Sequence, residues 1–300
     1  MLRMRTLTVN AAAGLALGIS AAAALETGAG LPTGAGFPRA AAGTLKPRAD
    51  GMPNFSANGY GWFEEGDDFL APESGPGPIF SDPAYPYRSN QSGVQPTYRV
   101  ADLSNPILKP WVRDALQKAN ERVLKGGVPY NPRERCWPAG VPAFSVYTRV
   151  RPVYFVQGPK DVLIVNEGDA QVRHVYLGVP HSKNVKPSWY GESVGHYEGR
   201  DTLVVDTIGI SDKTFVDNYL TPHTDALHVV ERYTVADDGR TLNVTVSVDD
   251  PGAFTTKWSA RQIYHLEFQG PWDESPCAEN NTNYFGLGVA PIPEATRPDF

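Results

Sequence analysis

The chain has few cysteines, no long apolar run and no block of basic residues. Two cysteines occur among 300 residues. No stretch reaches the roughly 18 apolar residues of a membrane-spanning helix, so we expect no span. The formal charge is −6 and the lysines and arginines are dispersed. This disfavours nucleic acid and anionic membrane surfaces as partners, because both are bound through grouped positive charge.

Motifs of several enzyme classes are also missing. The sequence has no Gly-x-Ser-x-Gly elbow, no phosphate-binding loop and no dinucleotide-binding fingerprint. We therefore expect no organic cofactor. There is also no His-x-His, His-Glu-x-x-His or paired-cysteine motif, so a zinc or iron site would need three ligands gathered from separate strands. A metal site remains the less favoured alternative.

The N-terminus has the layout of a secretory signal peptide. Arg3 and Arg5 supply positive charge, Ala11–Ile19 is apolar, and residues 21–24 are all alanine. We expect cleavage near Ala24 and export to the periplasm or the extracellular space; an ordinary buried helix is the alternative. Removing residues 1–24 takes away two arginines and no acid, so the formal charge moves from −6 to −8.

Export bears on the two cysteines, Cys136 and Cys277. In an oxidising compartment an even pair favours one disulfide. That bridge would tie the entry of the strand region to the C-terminal tail. Two free buried thiols are the alternative, and a catalytic thiol is disfavoured because neither cysteine has a histidine close in sequence.

Composition divides the chain into successive stretches. Residues 59–103, which we call the aromatic wrap, are irregular yet rich in aromatic residues. Disordered linkers are usually aromatic-poor, so we expect the wrap to lie against a surface. The predicted organisation is a signal peptide (1–24), a flexible leader (25–58), the aromatic wrap (59–103), a helix (104–127), a β-barrel (128–276) and a tail (277–300), with 59–300 as one globular domain.

One helix is well signalled. Ser104 is a candidate N-cap, Pro106 suits the first turn, and Gly126-Gly127 ends the pattern. Apolar residues recur at three- to five-residue spacings, which predicts one apolar stripe. The stripe consists of Ile107, Trp111, Leu116, Ala119 and Val123.

After residue 143 the hydrophobic period becomes two, as in β-strands. Short turn-forming connectors with no helices between strands predict an antiparallel meander of eight or nine strands. Closure into a lipocalin-like barrel would remove exposed edges; a two-sheet sandwich is the alternative. The predicted strands are Phe144–Arg149, Val153–Gln157, Val162–Glu167, Val172–Leu177, Ser193–Glu198, Thr202–Ile208, Leu227–Val235, Leu242–Val248 and Arg261–Phe268.

Three sets of sequence landmarks carry a resemblance to a family. They are Arg135–Pro142; Pro180-His181-Ser182 with Pro187–Gly199 and Asp201–Thr207; and Pro222-His223-Thr224 with Leu227–Arg232. Over most of residues 100–270 the chain resembles a large group of exported bacterial proteins without an established reaction. The resemblance implies a lipocalin-like barrel and a bacterial origin, and it implies no activity.

All six histidines lie between His174 and His265, which indicates where chemistry would occur because histidine is a common acid, base or metal ligand. The predicted catalytic residues are His223, Asp206 and Glu231. His223 follows Pro222 in a loop at the expected barrel mouth. For each of these residues a structural role is the alternative. His223 would then bond a turn, Asp206 would cap a turn, and Glu231 would form an ion pair.

Strand alternation sorts the residues around Glu231. Val229, Glu231 and Tyr233 should share one face, while His228 and Arg232 share the other. Glu231 and Arg232 therefore cannot pair with each other, and each needs a partner from another strand. Any one strand histidine is more often a core or surface residue than a functional group, but four on neighbouring strands favour a meeting of two or three inside the barrel. They are His174, His196, His228 and His265.

These residues support two hypotheses. The first is an exported acid–base enzyme, an isomerase, lyase or hydratase, cyclase or hydrolase, acting on a small, partly apolar molecule in a barrel cavity. The second is a non-catalytic exported protein that binds a hydrophobic ligand. Convergence of the three catalytic candidates would favour the enzyme. The predicted substrate-binding residues are His181, Trp189, Tyr190, His228, Arg232 and Tyr233.

Overall fold

The strand-rich region forms a closed barrel in the computed structural model. The structure describes residues 45–56, 59–87, 99–127, 136–146, 151–168 and 171–270, together with 272 and 277. The predicted signal peptide, residues 25–44 of the leader and nearly all of the tail lie outside the described residues. No helix within the described ranges has the length and apolar character needed to cross a membrane.

Nine strands follow one another around the barrel in sequence order, and the last pairs with the first. This confirms the predicted barrel over the sandwich. Their bounds are β1 Tyr60–Glu64, β2 Val153–Gln157, β3 Asp161–Asn166, β4 Gln171–Leu177, β5 Glu192–Glu198, β6 Thr202–Ile208, β7 His228–Val235, β8 Thr241–Asp249 and β9 Trp258–Phe268.

Two strand predictions were wrong. The wrap is not wholly irregular, because Tyr60–Glu64 forms β1 and closes the barrel against β2 and β9. Residues 144–146 of the predicted strand Phe144–Arg149 instead belong to a 3-10 helix, Ala143–Val146, and residues 147–149 lie outside the described part. All four residues of this 3-10 helix are buried, so their apolar character reflects insertion into the barrel rather than strand pairing.

The predicted helix begins later than expected. Helix α1 spans Pro110–Leu124, with Lys109 at the N-cap position and no side-chain cap, so Ser104 does not cap it. Pro110 occupies the first helical turn, where a missing N–H costs nothing. The buried residues are Val112, Leu116 and Asn120, at the four-residue spacing of one helix face. Trp111 lies outside that stripe and is exposed.

One strand pair departs from the predicted antiparallel order. Strands β4 and β5 are parallel, with Val175 opposite Ser193, while the other eight pairs around the barrel are antiparallel. A parallel connection must return to the start of the next strand and needs about a dozen residues or more. Residues 178–191 make this connection, which we call the crossover loop.

The interior of the barrel is filled by alternate side chains of its strands. Trp62, Phe155 and Tyr233 are among the buried aromatic residues, and the Phe155 and Tyr233 rings meet edge to face with centroids 5.5 Å apart. Each strand sends its other side chains outward, as the period of two requires. The exposure of β7 follows the predicted alternation, with Val229, Glu231 and Tyr233 buried.

The predicted disulfide is present. Cys136 and Cys277 are bonded across a sequence separation of 141 residues, with their Cα atoms 5.6 Å apart. Closing a loop of this length restricts the unfolded chain, and the chain-entropy model gives about 5 kcal/mol as an upper figure. The bridge anchors the segment that leads into the 3-10 helix.

Candidate functional site

One group of accessible histidine and carboxylate side chains lies on the outside of the barrel over β5, β6 and β7. The register places Val194, Asp206 and Val230 opposite one another on these three strands. Their neighbours two residues away share the same outward face. That face therefore carries Glu192, Asp206 and His228 together, one from each strand.

Four side chains form what we call the outer-face cluster: Glu192, His181, Asp206 and His228. The Nε2 atoms of His181 and His228 lie 3.0 Å and 2.8 Å from the same oxygen, Oδ1 of Asp206. The Nδ1 atom of His181 lies 3.1 Å from Oε1 of Glu192. The result is a continuous chain of alternating carboxylates and imidazoles, and its members remain accessible, with the Asp206 side chain 39% exposed.

Ser182 fixes the carboxylate at one end of this chain. Its backbone N–H donates to Oε1 of Glu192 over 2.7 Å, and its hydroxyl donates to Oε2 over 2.5 Å. These hydrogen bonds from Ser182 lower the pKa of Glu192, and His181 lowers it further. Glu192 is therefore held as an ionised acceptor for the His181 ring.

At the other end of the chain, His228 has one ring nitrogen available. Its Nε2 is bonded to Asp206, whose ionised carboxylate only accepts hydrogen bonds. Nε2 then carries the proton, and a neutral ring presents a lone pair at Nδ1. No described residue bonds that Nδ1. A carboxylate that orients a histidine with a free nitrogen is the arrangement expected of a general base.

The crossover loop brings His181 to this surface. Gly209, directly after β6, lets the loop pass close by: it has φ +68°, and a Cβ there would stand 2.3 Å from Cγ1 of Val185. Gly191 plays the same part at the loop's end, where a Cβ would lie 2.4 Å from the carbonyl oxygen of Ile208. Only glycine combines this backbone conformation with such clearance.

The predicted catalytic residue His223 lies elsewhere. It is buried, with Nε2 2.9 Å from Oγ1 of Thr214 and Nδ1 2.8 Å from the carbonyl oxygen of Thr224. Burial lowers its pKa, so the neutral ring is favoured. Both nitrogens are engaged with neutral groups of its own loop, and the expected convergence of His223 with Asp206 and Glu231 does not occur.

Glu231 belongs to a second group, which we call the inner cluster: Arg173, Glu231, Tyr233, Ser145, Ser193 and Thr207. Arg173 and Glu231 pair over 2.5 Å with both side chains fully buried. Tyr233 donates a hydrogen bond to Glu231 over 2.9 Å. The pair spans the interior, because Arg173 lies on β4 and Glu231 on β7.

The remaining members add hydrogen bonds to this pair. The Nε atom of Arg173 donates to Oγ of Ser193 over 3.2 Å, and its Nη2 atom donates to Oγ1 of Thr207 over 2.7 Å. Ser145, on the 3-10 helix, donates to Glu231 over 3.2 Å. Burial, the largest single effect, lowers the pKa of Arg173, but Glu231 and Tyr233 together outweigh it and the net pKa is raised. Burial and the Glu231 charge raise the pKa of Tyr233.

The other predicted substrate-binding residues are spread over several surroundings. Arg232 faces outward and pairs with Glu198 of β5 over 2.5 Å, and this pairing lowers the pKa of Glu198 to about 2. Trp189 packs beside Trp137 with ring centroids 5.3 Å apart. Tyr190 donates its hydroxyl proton to Gln171 and packs against Phe144. Tyr233 is inside the barrel, so these residues do not line one shared pocket.

The strand histidines do not meet inside the barrel, contrary to expectation. The side chains of His174, His196 and His265 are 41%, 60% and 47% exposed, each beside one carboxylate. His228 also faces outward. Within the described ranges, no three His, Cys, Asp or Glu side chains are arranged as a group that could hold a metal ion.

A separate surface depression of about 430 Å³ lies between the wrap and the turn before β9. Asp102 is its one ionisable side chain among the lining residues, alongside serine, threonine, asparagine, proline, glycine and isoleucine. It contains no histidine and no paired charge, so the outer-face cluster is the better candidate for chemistry.

Two important residues were missed at the sequence level. The predicted strand Ser193–Glu198 leaves Glu192 just outside it. The spacing of two between Glu192 and Val194 nevertheless indicates that both lie on the same face, the one that carries Asp206. Arg173 was overlooked because β4 has apolar residues on both faces. The signal for Arg173 was indirect: an inward Glu231 needs an internal positive charge.

A scan against protein-family models found no match, and a search among curated proteins found none.

Proposed function

We propose that this chain is an exported acid–base enzyme that acts on a small, partly apolar molecule at the outer-face cluster, without an organic cofactor. The observation that carries the proposal is the single carboxylate oxygen of Asp206 that two histidine Nε2 atoms share on an accessible surface. Convergence around Asp206 thus occurs with His181 and His228 in place of His223.

The roles follow from the hydrogen bonds. His228 accepts a proton at Nδ1 while Asp206 orients its ring and stabilises the imidazolium that forms. His181, bonded to Asp206 on one side and Glu192 on the other, keeps the Asp206 carboxylate in place. This combination suits isomerisation, elimination or hydration, cyclisation, or hydrolysis by an activated water.

The packing of the barrel favours this surface over the interior. The inward side chains Trp62, Phe155 and Tyr233 are buried and occupy the centre. The partly exposed Val194 and Val230 flank Asp206 on the outside. A partly apolar molecule would therefore find both polar and apolar contacts at the outer face.

The test is a panel assay in deuterated water with the purified protein. Small ketones, hydroxy acids and aryl esters are followed by proton NMR for exchange, elimination and hydrolysis. For any compound turned over, His228→Gln should lower kcat by about 10² to 10⁴, the usual contribution of a general base. The matched control is His196→Gln, which removes an exposed histidine from the same outer face of β5.

Three outcomes would contradict the proposal. The first is turnover by His228→Gln at the wild-type rate, and the second is an equal loss in the His196→Gln control. The third is tight binding of a panel compound with no turnover of any, which would favour the binding-protein alternative. Elemental analysis of the same sample tests the acid–base assignment, since a stoichiometric metal lost in Asp206→Asn would make the two histidines metal ligands instead of proton carriers.

Export is tested by cell fractionation and intact-mass measurement. We expect a periplasmic or secreted form that lacks about the first 24 residues, given the charge and alanine pattern at the N-terminus. A full-length cytoplasmic product would overturn this part alone and would leave the chemistry of the outer-face cluster in place.

A further inference from the structure

The outer-face cluster continues sideways into exposed apolar side chains. Strand register places Tyr176 of β4 opposite Val194, and Val194 opposite Asp206. The three residues therefore stand in one row across the outside of the barrel. With neighbouring strands about 4.8 Å apart, the Cα atoms of Tyr176 and Asp206 are about 10 Å apart.

Two members of this surface are more exposed than apolar residues of their size usually are. Tyr176 is 45% exposed and Val179 is 50% exposed. Val179 lies in the crossover loop two residues before His181, so the same loop carries an exposed apolar residue and a histidine of the cluster. His174, two residues earlier on β4, packs its ring against that of Tyr176 with ring centroids 4.2 Å apart.

We propose that Tyr176 and Val179 bind the apolar part of the substrate while its reacting group lies at Asp206 and His228. This inference rests on the proposed function and names the substrate class: a small neutral molecule with an aryl or short alkyl group one to two strand spacings from a carbonyl or hydroxyl group. The occupant is chosen because Tyr176, Val194 and Asp206 form one row that joins the exposed ring to the polar cluster.

Benzylacetone is a suitable probe, because a two-carbon linker separates its phenyl ring from its carbonyl group. Butanone, which lacks the ring, is the matched control ligand. Binding is measured by titration while the side-chain NMR signals of His181 and His228 are followed. We expect benzylacetone to bind wild-type protein more tightly than butanone and to shift both histidine signals.

The variant that tests the inference is Tyr176→Ser. We expect its dissociation constant for benzylacetone to rise about tenfold, because the ring loses its apolar contact, and its butanone binding to stay unchanged. The matched control is Tyr85→Ser, which removes a tyrosine of similar exposure, 49%, from the wrap. That control should bind both ketones like wild type.

Each contrary result overturns the inference. Benzylacetone binding no tighter than butanone, equal binding by Tyr176→Ser and wild type, or equal weakening in Tyr85→Ser would all do so. Concentration-dependent dimerisation lost in Tyr176→Ser would assign this face to a second copy instead. Binding of benzylacetone with no turnover of any compound would contradict the catalytic proposal but not this inference. Turnover with an unchanged KM in Tyr176→Ser would contradict this inference but not the catalytic proposal.

Discussion

The inner and outer clusters are built from neighbouring residues of the same strands. Ser193, Thr207 and Glu231 point into the barrel, while Glu192, Asp206 and His228 point out. Inside, Arg173 and Glu231 are fully buried and surrounded by hydroxyl groups. Outside, the imidazoles and carboxylates are accessible and one histidine nitrogen has no partner among the described residues.

The difference shows how one residue step along a strand changes the role of a charged group. A buried ion pair must be matched completely, because an unmatched charge in the interior is very unfavourable. An accessible pair contributes little to folding, since water screens it. Groups of the outer cluster are thus free to exchange protons, whereas those of the inner cluster are committed to holding the barrel together.

The largest effect should come from breaking the inner pair. Glu231→Gln leaves the Arg173 guanidinium buried without a counter-charge, and we expect the free energy of unfolding to fall by about 3–5 kcal/mol. Urea denaturation measures it. The double variant Arg173→Met with Glu231→Leu removes both charges and should recover much of the loss. A fall below about 1 kcal/mol in Glu231→Gln would contradict the assignment.

A smaller effect is expected from His223, the buried histidine of the loop before β7. His223→Gln disrupts the bonds to Thr214 and Thr224 and should lower the free energy of unfolding by about 1–3 kcal/mol, without changing activity per folded molecule. Comparison with His228→Gln, which should do the opposite, separates a structural histidine from a catalytic one. Equal loss of activity in both variants would reject the separation.

His223 also makes the stability of the wild-type protein depend on pH. Burial lowers the pKa of His223 below its ordinary value of 6.5, so below that pH the unfolded state binds more protons than the folded state. Stability therefore falls as the pH drops from 6.5 through the lowered native pKa. Wild-type protein should lose more stability than His223→Gln between pH 7 and pH 5. Identical losses in urea titrations at these two pH values would refute this.

The smallest effect on folding should come from Asp206 in the outer cluster. Asp206→Asn removes the shared acceptor of His181 and His228, yet all three are partly exposed, so we expect a change below about 1 kcal/mol. Activity should fall together with that of His228→Gln. A stability loss comparable to that of Glu231→Gln would show that the outer cluster is structural and would remove the contrast with the inner one.

Much of the barrel could be predicted because alternation of side chains reports directly on a half-buried strand. The bounds of β2 and β6 match the prediction residue for residue, and the inward position of Glu231 and Tyr233 followed from the period of two. Strand β1 was missed because five residues between turn-forming segments give too short a pattern. The 3-10 helix at Ala143–Val146 was misassigned because burial on all sides resembles a central strand.

The site could be predicted only in part because its contacts join distant segments. His181 and Asp206 were both singled out, yet their meeting depends on the path of a loop that local patterns do not specify. The same patterns suggested His223, whose loop position and neighbouring proline are typical of an exposed histidine. In the structure it is buried and bonded to Thr214 and Thr224 of its own loop, contacts that no periodicity reports.

That the barrel contains a parallel strand pair follows from parity. Around a closed ring of strands the chain direction reverses at every antiparallel pair and must return to its starting sense, so the number of such pairs is even. Nine strands make nine pairs, and at least one of them must be parallel. In this protein the parallel pair joins two consecutive strands, so the chain must return to the start of β5 through the crossover loop, and that loop brings His181 to Asp206.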